Sequence, residues 1–308
     1  MNLTNISKTP LHVAFEECLK SATKRGMRVT GSELVGLVPK KVMIEAGQYF
    51  LQKQNRSLGI SEDEIIHIAI KSLGLDELGP FDPQKKIIEF LLAKNSDKPL
   101  IRMPLNKFAD LTASESPAPG GGSISAYLGA LGASLGAMVA NLSAHKRGWD
   151  NRWEEFSKHA EKGQKLKEEL LNLVDEDTAA FTKIMEAIRL PKTTEEEKKA
   201  RAKAMKASTK YAIEVPLKVM KTSYACFSFL SDMAKTGNPN SVSDAGVGAL
   251  CAKAAVHGAF LNVKINCQGL SDEAYVKKVI QEGKKILDRS IKQQDSILKI
   301  VDKVIQKS

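Results

Sequence analysis

The chain has 308 residues, 43% of them hydrophobic, 27% charged and 6% aromatic, proportions that permit one large or two ordinary packed domains. They exclude wholesale disorder, a collagen-like repeat and a disulfide scaffold. The net charge of +10 divides into +2 over residues 1–100 and +8 over 101–308; such a field draws nucleic acid, anionic lipid or a polyanionic small molecule, but no nucleic-acid reader motif and no interleaving of basic with aromatic residues accompanies it, so nucleic acid is not expected as a partner.

Taken in chain order, the N-terminal segment MNLTNISKTP lacks a basic start followed by an apolar run, so no secretory signal is expected. Leu11–Lys24 has helical spacing through Val13, Ala14, Cys18 and Ala22, and it ends at Gly26. The stretch 27–38 is short and β-friendly. Pro39 then opens a helix to about Gln54, proline being tolerated in a first turn. Ser61-Glu62-Asp63-Glu64 has capping-box spacing ahead of Ile65, Ile66, Ile68, Ala69 and Leu73. A turn at 79–83 precedes a last short helix over 84–93. Polar, aperiodic residues 94–104, with Pro99 and Pro104, read as a linker. Everything after Leu105 reads as helix: 105–112, 122–146, 150–189, 194–235, 243–267 and 271–306, with breaks expected at Pro191, Pro216 and the Gly237–Asn240 turn.

Residues Ile124 to Ala144 form a run of 21 without a charge, containing Gly132-x-x-x-Gly136. Its length meets the spanning rule. Its content is Ala, Gly and Ser, which gain little in lipid, so it is expected in the middle of a helical bundle, where small residues let backbones approach closely, rather than in a membrane. Cys18, Cys226, Cys251 and Cys267 contain no CxxC pair and read as buried thiols in a reducing, cytoplasmic setting. The five histidines show no i,i+4 pairing with one another or with cysteine, so no metal site is expected. The basic residues Lys198, Lys199, Arg201, Lys203, Lys206 and Lys210 read as a solvated helix face.

Three clusters carry candidate chemistry. Pro119-Gly120-Gly121-Gly122-Ser123 sits directly before the Gly/Ala-rich helix. Glycines there let backbone N–H groups converge at a helix start, a cradle for carboxylate or phosphate, or merely a hinge capped by Ser123. Asp177 lies on the apolar stripe of Leu166, Leu170, Leu173, Val174, Phe181, Ile184 and Ile188, whereas Asp175 and Glu176 point elsewhere. An inward carboxylate has a pKa set by its surroundings, as a general acid/base requires; a structural cap or an ion pair would use the same placement. Asn238 stands in the Gly237-Asn238-Pro239-Asn240 turn, Ser243 and Asp244 are ordinary N-cap types, and Asn262 and Asn266 share one helix face that can either read a heteroaromatic edge or tie helices together.

SPAPGGGS at 116–123, LVDEDTAAF at 173–181, MEAIRLPK at 185–192, GNPNSVSDAG at 237–246 and NVKIN at 262–266 resemble the cyclodeaminase domain of formiminotransferase-cyclodeaminase and the related methenyltetrahydrofolate cyclohydrolases. VTGSELVGLVP at 29–39 and LGLDELGPFDPQKKIIEF at 73–90 resemble the end of the glutamate formiminotransferase module. The resemblance implies a mainly α protein: an all-helical cyclodeaminase-type bundle over 105–308, a small N-terminal α/β subdomain over 1–95 and a linker at 96–104. It implies conversion of 5-formiminotetrahydrofolate into 5,10-methenyltetrahydrofolate and ammonia, as in histidine degradation. Asp177 would be the acid/base and no metal would be needed. Pro119, Gly120, Gly121, Gly122 and Ser123 would lie against the folate, and Asn238, Asp244, Asn262 and Asn266 would orient it. The +8 of this module would suit a polyglutamated folate, and the family implies a homodimer. Because the transferase likeness covers only the end of that module, the first 95 residues are not expected to transfer a formimino group alone; a separate formiminotransferase subunit is a partner this arrangement would fit. Cyclohydrolase activity, or a non-catalytic role beside such a subunit, are the alternatives.

Overall fold

A computed structural model describes residues 1–92 and 100–307. The part of the expected linker up to Pro99 lies outside the described residues. The described chain divides into two compact units, the first built from the N-terminal residues together with 144–158, the second from residues 100–143 and 159–307.

In the first unit, helices α1 (Leu11–Thr23), α2 (Lys40–Lys53), α3 (Glu62–Leu73), α4 (Pro83–Lys86) and α5 (Ile88–Leu92) follow one another. Met43, Ala46, Phe50, Ile66, Ala69, Leu73 and Ile87 form its core. The α1 face differs from the expected one: Leu11 and Phe15 pack against the core, while Val13 and Cys18 are exposed. Leu11 and Phe15, four apart, are the larger side chains and take the inner face. Ser61 caps α3 by accepting the Glu64 N–H at 3.3 Å.

The α/β expectation for this unit is not met among the described residues, where the only β pairing is an isolated parallel bridge between Val38 and Ile87. The polar groups of the β-friendly stretch go elsewhere. Ser32 donates its N–H to the Gly74 carbonyl at 3.1 Å and its hydroxyl to the Leu73 carbonyl at 2.7 Å, satisfying the C-terminal end of α3. The same bridge divides the expected 84–93 helix into α4 and α5 at Ile87. In the segment 144–158, Trp149 stacks on Phe156 with centroids 5.5 Å apart, and the Leu58 N–H donates to the Ser157 hydroxyl at 2.9 Å.

The second unit is helical as expected: α6 (Leu105–Thr112), α7 (Gly121–Ala144), α8 (Trp153–Arg189, of which 159–189 belong here), α9 (Glu195–Thr236), α10 (Val242–Cys267) and α11 (Glu273–Ile305). Leu170, Leu173, Val174, Ile213, Met220, Phe227, Phe229, Leu230, Val256 and Val263 are buried in it. A capping box fixes the start of α9: Thr194 accepts the Glu197 N–H at 3.1 Å and Glu197 accepts the Thr194 N–H at 3.0 Å.

Both Gly121–Ala144 and Pro239–Cys267 are long and apolar enough to cross a bilayer. Here they lie antiparallel and touch along their lengths, because glycines replace side chains at the crossings. A Cβ on Gly132 would press on the Gly248 carbonyl, one on Gly258 would strike the Ser125 hydroxyl, and one on Gly136 would collide with Phe229 of α9. The expectation of close backbone approach in a bundle is met.

Pro216 does not break its helix, contrary to the sequence expectation: α9 runs through it from Glu195 to Thr236. Proline inside a helix removes one backbone N–H and leaves the carbonyl four residues earlier without its donor. That carbonyl, on Ala212, is supplied from outside α9, as described next.

Candidate active site

The α7 helix begins at Gly121, so the last two glycines of the triplet and Ser123 form its first turn rather than a loop before it. Pro119, joined to Ala118 by a cis peptide, is buried immediately ahead. Alongside runs α8, which turns Asp177 toward this helix start. Without a side chain on Gly122 the carboxylate comes up against the α7 backbone. The Ser123 backbone N–H donates to Asp177, and the Ser123 hydroxyl lies 3.2 Å from its Oδ2. That hydroxyl also lies 2.8 Å from the Val174 carbonyl and 3.5 Å from the Thr178 hydroxyl. The carboxylate cradle foreseen at the glycines thus holds the protein's own Asp177.

Burial lifts the Asp177 carboxyl above the ordinary aspartate range, and the Ser123 hydroxyl and N–H work in the opposite direction without cancelling it. The neighbouring acids are engaged elsewhere, as their helical positions foretold. Asp175 accepts the Leu100 N–H at 3.0 Å and Glu176 accepts the Tyr211 hydroxyl at 3.1 Å.

Asp177 faces a cavity of about 150 Å³ together with Gly120, Gly121, Gly122, Asn262 and Asn266. Phe181, Ile184 and Ala212 belong to the apolar part of the wall, and Thr178 also lines it. Both asparagines commit their side-chain NH2 groups to helix carbonyls: Asn262 donates to Gly258 at 3.0 Å and Asn266 to Ala212 at 2.7 Å. A carbonyl only accepts, so the atoms facing these oxygens are the nitrogens, and each Oδ1 remains for another donor.

Four residues expected at the site are not among those lining the cavity: Pro119, Ser123, Asn238 and Asp244. Pro119 is buried ahead of α7, and Ser123 is turned to Asp177 and the Val174 carbonyl. The Asn238 side chain accepts the Asn240 N–H at 3.3 Å in a 3₁₀ turn at Pro239–Ser241, and its own N–H donates to the Ser143 hydroxyl at 2.8 Å. Asp244 lies in the first turn of α10, which starts at Val242, just ahead of the start expected from Ser243. Capping of the 3₁₀ turn accounts for Asn238, and Asp244 is an acid beside the positive end of the α10 dipole. Phe181 was read only as part of a buried stripe; it is 40% exposed, because it forms cavity wall. Ile188, further along, is also exposed. Ala212 was missed; the signal was Pro216, four residues on, whose presence in a helix flags a freed carbonyl.

The formiminotransferase-cyclodeaminase family model matches residues 104–285, and that of the formiminotransferase domain matches residues 1–93. The formimidoyltransferase-cyclodeaminase of Gallus gallus is 37% identical over 303 residues, covering 98% of this chain and 56% of the chicken protein. The methenyltetrahydrofolate cyclohydrolase of Methylorubrum extorquens is 37% identical over 178 residues, 58% of this chain and 86% of its own length. The crystal structure of a formiminotetrahydrofolate cyclodeaminase from Thermotoga maritima superposes with a TM-score of 0.56 at 28% identity, covering 67% of this chain and 97% of that one. The chain spans about half the length of the formimidoyltransferase-cyclodeaminases it matches. By sequence and by fold, it belongs to the formiminotransferase-cyclodeaminase family.

Proposed function

We propose that the second unit is a formiminotetrahydrofolate cyclodeaminase, forming 5,10-methenyltetrahydrofolate and ammonia, with Asp177 as its acid/base. The reading is carried by one observation: a carboxyl with a raised pKa stands at the wall of a cavity that three glycines and two asparagines also line. The cavity is smaller than the space a whole folate requires. It suits the reacting edge of the pterin, with the rest of the molecule extending outward.

In this mechanism N10 of the folate attacks the formimino carbon, forming the C–N10 bond and closing a five-membered ring. Protonated Asp177 gives its proton to the former imine nitrogen. The resulting carboxylate takes the N10 proton and returns it to the amino group as the carbon–nitrogen bond breaks. Ammonia departs, the methenyl cation remains, and one proton is consumed overall. A carboxyl whose pKa is raised toward neutrality suits both halves of this exchange. Gly121 and Gly122 offer first-turn N–H groups, and Asn262 and Asn266 offer acceptors, to hold the ring system still.

The likeness to a methenyltetrahydrofolate cyclohydrolase over 178 residues supports a second reading, in which water takes the place of ammonia at the same carbon. Following methenyl-folate absorbance with ammonia assayed in parallel decides between them. Ammonia released from 5-formiminotetrahydrofolate supports the deaminase, loss of absorbance from added methenyl-folate without ammonia supports the hydrolase, and neither refutes both.

We also propose that the unit works as a homodimer. Leu131, Met138 and Leu142 of α7 and Val247, Leu250, Leu261 and Ile265 of α10 are exposed on two adjacent helices, an apolar face suited to a second copy. Light scattering is expected to give twice the chain mass, and a paired Leu250→Glu and Leu261→Glu change is expected to give the monomer.

A further inference from the structure

Pro216 sits in the interior of a 42-residue helix, where proline is ordinarily the least favourable residue. Its ring nitrogen carries no hydrogen, so the Ala212 carbonyl lacks its i+4 donor. The Asn266 side-chain NH2, from α10, donates to that carbonyl at 2.7 Å. Ala212 and Asn266 both line the cavity with Asp177. A side-chain amide has a donor end and an acceptor end, and this bond fixes which end is spent.

We infer that Pro216 is a positioning residue of this site: by freeing the Ala212 carbonyl it anchors the Asn266 amide through nitrogen, leaving its oxygen to accept an N–H from the substrate. Asn262, held likewise by the Gly258 carbonyl, sits one turn before it on α10. The two amide oxygens so presented are acceptors, and Asp177 becomes a third once it has given up its proton. Such a wall selects a ligand edge bearing N–H groups, as an amidine or a reduced pterin ring does, over one bearing only carbonyl oxygens. The proposed function enters this inference only in naming that edge.

Pro216→Ala returns an N–H to the helix, where it competes with Asn266 for the Ala212 carbonyl. Alanine is the better helix residue, so the melting temperature is expected to stay level or rise. In the ligand-free protein, the Asn266 side-chain amide signal is expected to shift to that of a freely rotating group. With 5-formiminotetrahydrofolate, KM is expected to rise about tenfold, the scale of one hydrogen bond, with a smaller change in kcat. Asn266→Ala is expected to give a similar rise, and the double variant no more than Asn266→Ala alone. Asn266→Asp, which sets an oxygen against the same carbonyl while Pro216 stays in place, breaks the bond from the other side and is expected to raise KM as well. It serves where Pro216→Ala does not fold. Additive losses in the double variant, or an Asn266 amide signal unchanged by Pro216→Ala, overturn the inference. A wild-type chain inert toward both folates refutes the proposed function alone, because the amide measurement needs no folate.

Discussion

The carboxylate of Asp177 occupies the space that a side chain on Gly122 would need. Helix α8 brings its acid to α7 at the one residue type that lets it arrive. Gly122→Ala is therefore expected to push Asp177 out of place and lower kcat by about 10²-fold, the scale of a misplacement near 1 Å. Gly79→Ala is the control: a Cβ there, outside the site, would meet nothing within 4 Å, so near-normal turnover is expected. Equal losses in the two variants, measured by methenyl-folate absorbance, would contradict the steric argument.

Asp177→Asn keeps the shape and removes the proton. Turnover is expected to fall by about 10²-fold or more. Stability should move the other way. Burial raises the folded-state pKa of Asp177, so the folded chain holds that proton more tightly than the unfolded one. The stabilisation this brings is complete in acid and is lost as pH rises through the folded-state value. Asparagine has no such dependence. Thermal melts from acid to neutral pH are expected to show the variant gaining on the wild type as pH rises, and a constant difference would remove Asp177 from its buried setting.

The helices after Leu105 were legible because apolar spacing and end signals agreed, down to the Thr194 start of α9. Asp177 was legible for the same reason, since helical period alone separates it from Asp175 and Glu176. Pro216 misled, because the rule that proline ends a helix assumes that the freed carbonyl stays unpaired, and here a side chain from α10 supplies the donor. The stretch 27–38 misled in a related way. Its composition favours a strand, but a strand needs a partner ladder, and the residues of that stretch instead close the end of α3. Asn238 and Asp244 were assigned outward from a motif, and at Asn238 the bonds of its own 3₁₀ turn were the stronger constraint. At Pro216 and over 27–38, a contact distant in sequence overrode a local preference.

The Gly136 position tests the packing of α7. A methyl there would run into the Phe229 ring and the Leu230 side chain, both fully buried and unable to yield. Gly136→Ala is expected to destabilise the chain by about 1–3 kcal/mol in urea unfolding, despite the better helix propensity of alanine.

The thiols should separate kinetically. Cys18 is exposed, Cys251 is half-buried, and Cys226 is buried with its thiol pushed up to about 12 by desolvation. With a thiol reagent on the native chain, Cys18 is expected to react first and Cys226 only on unfolding. Peptide mapping of the modified cysteines gives the order.

One hydrogen on the Ser123 hydroxyl has two takers, the Val174 carbonyl at 2.8 Å and Asp177 at 3.2 Å. A turn about a single C–O bond swaps them. With the acid ionised, the hydrogen swings to the carboxylate; with the acid loaded, it swings back and offers the newly protonated oxygen a lone pair. Either charge state then leaves the pair satisfied, so loading and unloading requires only one rotor to flip rather than a rearrangement of helices.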